Sequence, residues 1–161
     1  MLRLALFSTL AALLVLTAPA AAIDFGAQLI YGDDTDIGIG GRVEIPTPDL
    51  REQTRIAVDF NWYFPDDSPG VDLTFWEINA NWLHTVGTAR EGAPAYYLGG
   101  GLNFAYSSVD YDPGGDDSNK DLGVSFLGGI ALPLGELTGI GELRITIAGS
   151  EQYTLGIGLL F

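Results

Sequence analysis

Two sets of side chains in this 161-residue sequence have the types and spacing for chemistry. The first is acidic. In the run Asp110-Tyr111-Asp112-Pro113-Gly114-Gly115-Asp116-Asp117-Ser118-Asn119-Lys120-Asp121 oxygen donors recur at short intervals, as a hard cation such as Ca²⁺ or Mg²⁺ requires. Its candidate ligands are Asp110, Asp112, Asp116, Asp117 and Asp121. The run falls short of the EF-hand pattern, so a solvated loop is expected, with loose divalent-cation capture as the alternative and no other cofactor implied. Asp33, Asp34, Asp36, Asp66, Asp67 and Asp72 would reinforce that capture electrostatically. The second set is mixed: Arg42, Glu44, Arg55, Asp59, Glu77, Glu142 and Arg144. Three arginines against four acids, interleaved with apolar residues, point to ion pairing in a poorly hydrated place. Catalysis has little else to use. His84 is the single histidine and there is no cysteine, so no nucleophile and base can be assembled, no enzyme is expected, and His84 reads as a polar interfacial residue.

Composition limits what positions these groups. Hydrophobic residues make up 47% of the chain and charged residues 17%, which excludes an acidic disordered tail. The formal charge is −14, so no basic surface exists for nucleic acid. Glycine, at 22 residues, is about twice its usual share of roughly 7%, which suits closely approaching strands rather than a helical bundle. Arg3, the uncharged run Leu4 to Leu16 and the small residues Thr17 to Ala22 read as a secretory signal peptide over residues 1–22, cleaved after Ala22. Residues 23–161 are then one domain.

That domain alternates with a period of two in eight segments parted by Gly, Pro, Asp and Ser. The segments are about Asp24 to Tyr31, Ile37 to Ile45, Arg55 to Phe64, Trp76 to Trp82, Tyr96 to Tyr106, Leu122 to Leu132, Glu142 to Ile147 and Tyr153 to Phe161. A transmembrane helix over the uncharged stretch Gly92 to Val109 is ruled out by Pro94 and Gly99-Gly100-Gly101. Of one set of connections, Asp33–Asp36, Pro65–Asp72, Ser108–Asp121 and Gly149–Gln152, the first three are rich in Asp; the other set, Pro46–Gln53, Val86–Pro94 and Pro133–Thr138, has Pro and Gly but fewer acids. With strands running up and down, the two sets fall at opposite ends.

Every charge in the segments falls on the face that is otherwise mostly Gly, Ala, Ser, Thr and Asn; the other face carries bulky Ile, Leu, Val, Phe, Trp and Tyr. A lipocalin-like soluble barrel, or a sandwich, would put that bulk inside and charges in water. Eight strands cannot enclose it. The apolar face is therefore outside, in lipid. Tyr31, Trp62, Phe64, Trp76, Tyr106 and Tyr153 lie toward the Asp-rich end and Phe25, Trp82, Tyr96 and Phe161 toward the other, as two aromatic girdles.

At this point the chain resembles a known family, the small eight-stranded outer-membrane β-barrels of Gram-negative bacteria, of the opacity-like, porin-like type. The most specific residues are Thr154, Gly156, Leu159 and Phe161, which look like the signal read on a last strand by the barrel-assembly machinery. The resemblance implies an all-β, closed antiparallel transmembrane barrel in the outer membrane, monomeric, in contact with lipid and lipopolysaccharide, and met by periplasmic chaperones and the assembly machinery on the way. The His-and-Ser site of the lipid-modifying barrels has no matching positions here. A structural or surface-interaction role with a plugged interior is expected, and a small channel for ions or amphiphilic solutes is the alternative. Interior glycines such as Gly40, Gly99, Gly101, Gly123 and Gly129 keep the channel as an alternative by removing volume, which Tyr63, Phe75 and Tyr97 fill instead if they point inward. A hairpin symmetric about Pro46 to Gln53 would set Glu44 opposite Arg55 in a charge plug at the end away from the acidic loops.

Overall fold

The computed structural model describes residues 23–47, 53–65, 71–86, 92–111, 114–149 and 151–161. The signal segment expected over residues 1–22 lies outside them. Eight strands follow one another: β1 (Asp24–Gly32), β2 (Asp36–Pro46), β3 (Thr54–Tyr63), β4 (Val71–Val86), β5 (Ala95–Tyr111), β6 (Asp116–Leu134), β7 (Leu137–Ile147) and β8 (Gln152–Leu160). Each pairs antiparallel with the next, and β8 returns to β1 through Gly26↔Leu160 to Gly32↔Thr154, closing the barrel.

The alternation seen in the sequence becomes an inside and an outside. Asp59 and Asn61 are wholly buried within, whereas Leu122 is 72% exposed and Phe126 55%. Large apolar side chains cover the outer wall on all eight strands. In water that surface would be untenable; in hydrocarbon it is the matching face, and closure leaves no unpaired strand edge. Partners traced across the ladders from Gly32 run Thr154, Arg144, Leu127, Gly99, Leu83, Arg55 and Pro46. Pro46 stands at the opposite end of the β1–β2 hairpin from Gly32, so the strands are staggered and tilted, as a closed sheet demands.

Three expectations are corrected. Glu44 faces Ala57, and Arg55 faces Pro46. The hairpin closes one step later than expected, on Thr47 and Thr54, whose backbones bond at 3.0 Å and hydroxyls at 2.8 Å. The shift is of two residues, an even number, so both side chains still face inward. Next, β4, β5 and β6 are longer than the alternation marked, because polar alternation continues past the membrane where no apolar face is required. Of the supposed loop Ser108 to Asp121, Ser108 to Tyr111 belong to β5 and Asp116 to Asp121 to β6. Finally, Pro133 to Thr138 is not a loop: Leu134 pairs with Leu137 around a two-residue turn in which Gly135 takes a φ of 76°.

The volume that interior glycines release is taken up by neighbours. Tyr97 lies across the barrel wall from Gly129, and a Cβ at Gly129 would fall 2.3 Å from the Tyr97 ring and 2.8 Å from the carbonyl of Gly141. A Cβ at Gly40 would stand 2.1 Å from Asn61 Oδ1. These glycines are seats for large side chains rather than openings. At the end carrying the chain terminus, Ala57, Leu83, Tyr97 and Leu127 form a buried apolar cluster with Ala131 against it.

Gly129→Ala should therefore destabilise the barrel by about 1–3 kcal/mol in reversible urea unfolding from lipid vesicles. Gly41→Ala, where a Cβ meets nothing within 4 Å, should stay within about 0.5 kcal/mol of the parent. Equal effects at the two positions would contradict the packed interior.

Candidate functional site

The inward faces of β2, β3, β4 and β7 bring all seven charged candidates into one connected cluster. Arg42 Nη1 donates to Glu142 Oε2 at 3.0 Å, and Arg42 Nε lies 2.9 Å from Glu44 and 3.5 Å from Asp59. The last two are charge contacts without hydrogen-bond alignment. Arg144 Nη2 donates to Asp59 Oδ2 at 2.6 Å and to Glu142 Oε1 at 2.7 Å. Arg55 reaches Glu44 diagonally across the ladder at 2.5 Å, donates to Thr85 and lies 4.7 Å above the Tyr97 ring. Asp59 sits between the two deepest arginines, because Arg42 is its direct ladder partner and Arg144 approaches from the far wall.

Four acids meet three arginines here, and Glu77 is held differently from the rest. Its nearest cation, Arg144 Nη1, is 3.8 Å away. Instead it accepts hydrogen bonds from Asn61 Nδ2 at 2.8 Å, Tyr63 OH at 2.9 Å and Asn103 Nδ2 at 2.7 Å. Charge-assisted bonds of this kind hold a carboxylate where a counter-ion is lacking. Asn103 also donates to Asn79, Gln28 donates to Asn61, and Ser125 donates to Asn81, so amides and a hydroxyl flank the charge cluster in the lumen. These amides were visible in the sequence only as polar-face residues; their inward parity on β3, β4 and β5 was the available signal.

The cluster is not confined to the end opposite the acidic segments. Arg55 belongs to the last β2–β3 pair at that end, but Glu77 faces Asn61, two residues from the other end of β3. Barrel stagger is the reason, since residues at one height come from different distances along neighbouring strands.

At the Asp-rich end, Asp72, Asp110 and Asp116 are direct neighbours across β4, β5 and β6. Asp116, Asp117 and Asp121 lie on β6, and Asn119 donates to Asp121 at 2.7 Å. Asp112, Asp66 and Asp67 lie outside the described residues. Counted from Asp110, Gly115 stands where an EF-hand has its glycine, but Gly114 occupies a ligand position, and a β-hairpin replaces the loop between helices. No group of three or more His, Cys, Asp or Glu among the described residues is arranged to hold a metal ion. At the rim, Thr35 and Gln152 bond to each other between the β1–β2 turn and the adjacent β8, and the Asp33 carboxylate accepts from the Tyr153 amide at 2.9 Å. His84 lies on the outer face of β4, its ring 6.3 Å from that of Trp82.

On the outer wall, Trp62, Trp76 and Tyr106 form a cross-strand row, with Trp76 and Tyr106 stacked at 5.3 Å. No protein-family model and no curated protein matches the sequence. Solved structures do match along most of the chain. Neisserial surface protein A aligns with a TM-score of 0.60 at 18% identity, over 86% of this chain and 94% of that one. The fold is that of the small outer-membrane barrels. A major outer membrane protein of Thermus thermophilus gives 0.55 at 14% identity, over 87% and 99%. Ail, the attachment invasion locus protein of Yersinia pestis, gives 0.52 at 12%, over 87% and 97%. The closed eight-stranded architecture is thus shared with these proteins at 12–18% identity.

The last strand lies where the resemblance placed it. Thr154 is buried inside the barrel, Gly156 faces inward, and Leu159 and Phe161 point out; the Phe161 backbone exchanges two hydrogen bonds with Phe25, at 2.8 and 3.1 Å.

Removing one arginine from the cluster strands carboxylates in a buried place. Arg144→Ala should cost about 3–5 kcal/mol of unfolding free energy. Arg55→Ala should cost less, because its side chain keeps 18% of its exposure. A double-mutant cycle between Arg144 and Asp59 in vesicles should show coupling above about 1 kcal/mol; coupling near zero would mean each group is separately hydrated.

Proposed function

We propose that this protein is a structural and surface-interaction barrel of the outer membrane, closed to solute flow, with its acidic hairpins turned outward. The observation that carries the reading is the occupied interior. The apolar cluster of Leu83, Tyr97 and Leu127, the charge cluster, and the polar side chains of Gln28, Asn61, Asn79, Asn81, Asn103 and Ser125 all point into the lumen and contact one another there. Eight strands enclose a space that side chains fill, and here large side chains occupy the places of the missing Cβ atoms as well. The hairpin tip of β5 and β6 stands beyond the Trp76–Tyr106 row and carries the carboxylates that would gather divalent cations beside phosphate-bearing lipid. In planar bilayers the purified protein should give no unitary conductance, while a heat-modifiability gel shows it folded. A reproducible single-channel step from folded protein would transfer the assignment to a small channel.

The reading extends to biogenesis, with Thr154, Gly156, Leu159 and Phe161 as the signal recognised by the assembly machinery. What supports it is that Gly156 has no packing reason to be glycine: a Cβ there would meet Ile30 Cγ2 at 3.5 Å, an ordinary contact. Deleting Phe161, or Gly156→Ala, should lower the amount of protein reaching the outer membrane severalfold. Refolded into vesicles, Gly156→Ala should stay within about 1 kcal/mol of the parent, whereas loss of Phe161 also removes its two backbone bonds to Phe25. Unchanged membrane levels would refute the signal.

A further inference from the structure

We propose that the outer wall over β1, β2 and β3 seats one acyl chain of a membrane lipid in a fixed place, an inference that rests on the barrel lying in lipid. Along the outward rows of β1 and β2, bulky pairs follow one another, Phe25↔Val43 and Leu29↔Ile39. Between them stands Ala27↔Gly41, and the wall drops. Leu159, opposite Ala27 on β8, and Phe60, opposite Gly41 on β3, rise on either side. The result is a hollow of about 690 Å³ that reaches Trp62 in the aromatic row of the Asp-rich end. A second hollow of about 610 Å³ shares Gly41 and Phe60 with it and continues to Phe25 and Phe161 at the other end. Together they make one furrow across the apolar band.

The chemistry of the furrow selects its occupant. The polar side chains beneath it are turned away and engaged in the lumen: Gln28 donates to Asn61 at 2.7 Å, and Arg42 and Asp59 belong to the charge cluster. Nothing in the furrow holds a headgroup or a polar peptide, so what fits is hydrocarbon. The furrow is continuous with a wall that lipid already covers, and an acyl chain lying in it touches protein on three sides, where a chain on the convex wall touches one. A second copy related by a two-fold axis at this place would set hollow against hollow, whereas a two-fold interface must be self-complementary.

Trp62 borders the furrow and Trp82, also exposed on the outer wall, does not. Two single-tryptophan proteins, one with Trp76→Phe and Trp82→Phe and one with Trp62→Phe and Trp76→Phe, are refolded into phosphatidylcholine vesicles containing a minor fraction of lipid with brominated acyl chains. Across a series of brominated fractions, quenching of Trp62 should follow the occupancy of a single lipid place, and that of Trp82 the steeper dependence of an open wall that several chains touch. Gly41→Leu fills the furrow at a position where a Cβ meets nothing within 4 Å, so the barrel folds and Trp62 takes on the dependence of Trp82. The same dependence on brominated fraction for the two tryptophans, or no response to Gly41→Leu, overturns the seat. Dimers that Gly41→Leu turns into monomers overturn it in favour of a second copy. Failure of both tryptophans to be quenched would instead strike at the immersion of the barrel in lipid, and the seat falls with it.

Discussion

Closure is the constraint on which everything else in this molecule depends. In hydrocarbon, a backbone N–H or C=O without a partner costs several kcal/mol, so a sheet persists only if its first and last strands meet. Here β1 and β8 do so over a short ladder, extended by the two backbone bonds between Phe25 and Phe161. Once eight strands close, their tilt and stagger follow, and with them the diameter. Inside and outside are then separate environments, and each residue belongs to one of them by parity alone.

A narrow lumen makes the interior a packing problem between unlike materials. Large groups are admitted only where a neighbour is small, which is why Tyr97 lies over Gly129 and Asn61 over Gly40. Charges are admitted only where each is neutralised or solvated by protein. Asp59 is shared by two arginines, and Glu142 by the same two, while Glu77 is held by amides and a phenol. Buried ion clusters contribute little to stability when compared with apolar packing, but they strongly disfavour every register that separates them. A one-residue slip would turn Arg42 and Asp59 outward into lipid. The cluster therefore acts as a register lock as well as a filling.

The outer wall follows the opposite logic. Lipid imposes no shape, so bulk there is tolerated almost anywhere, and a pair as small as Ala27 and Gly41 stands out against Leu, Ile and Phe on every side. The structural neighbours share the closed sheet at low identity. That is what a fold specified by alternation and closure, rather than by particular residues, allows.

The number of strands, their faces and the two ends were legible in the sequence, because a period of two against a two-phase environment leaves a mark at every position. So was the membership of the charged set: Arg42, Glu44, Arg55, Asp59, Glu77, Glu142 and Arg144 all fall on the polar parity. Local pattern did not reveal how far a strand runs beyond the membrane, since Asp116 to Asp121 alternate without an apolar face and read as loop. Nor did it fix the hairpin register, which depends on whether Thr47 pairs with Thr54, a matter of turn closure. Partners across the lumen were beyond its reach altogether. That Arg144 meets Asp59 and that three neutral donors hold Glu77 depend on strands far apart in sequence being brought face to face at one height, and only the stagger of the closed barrel decides which heights coincide.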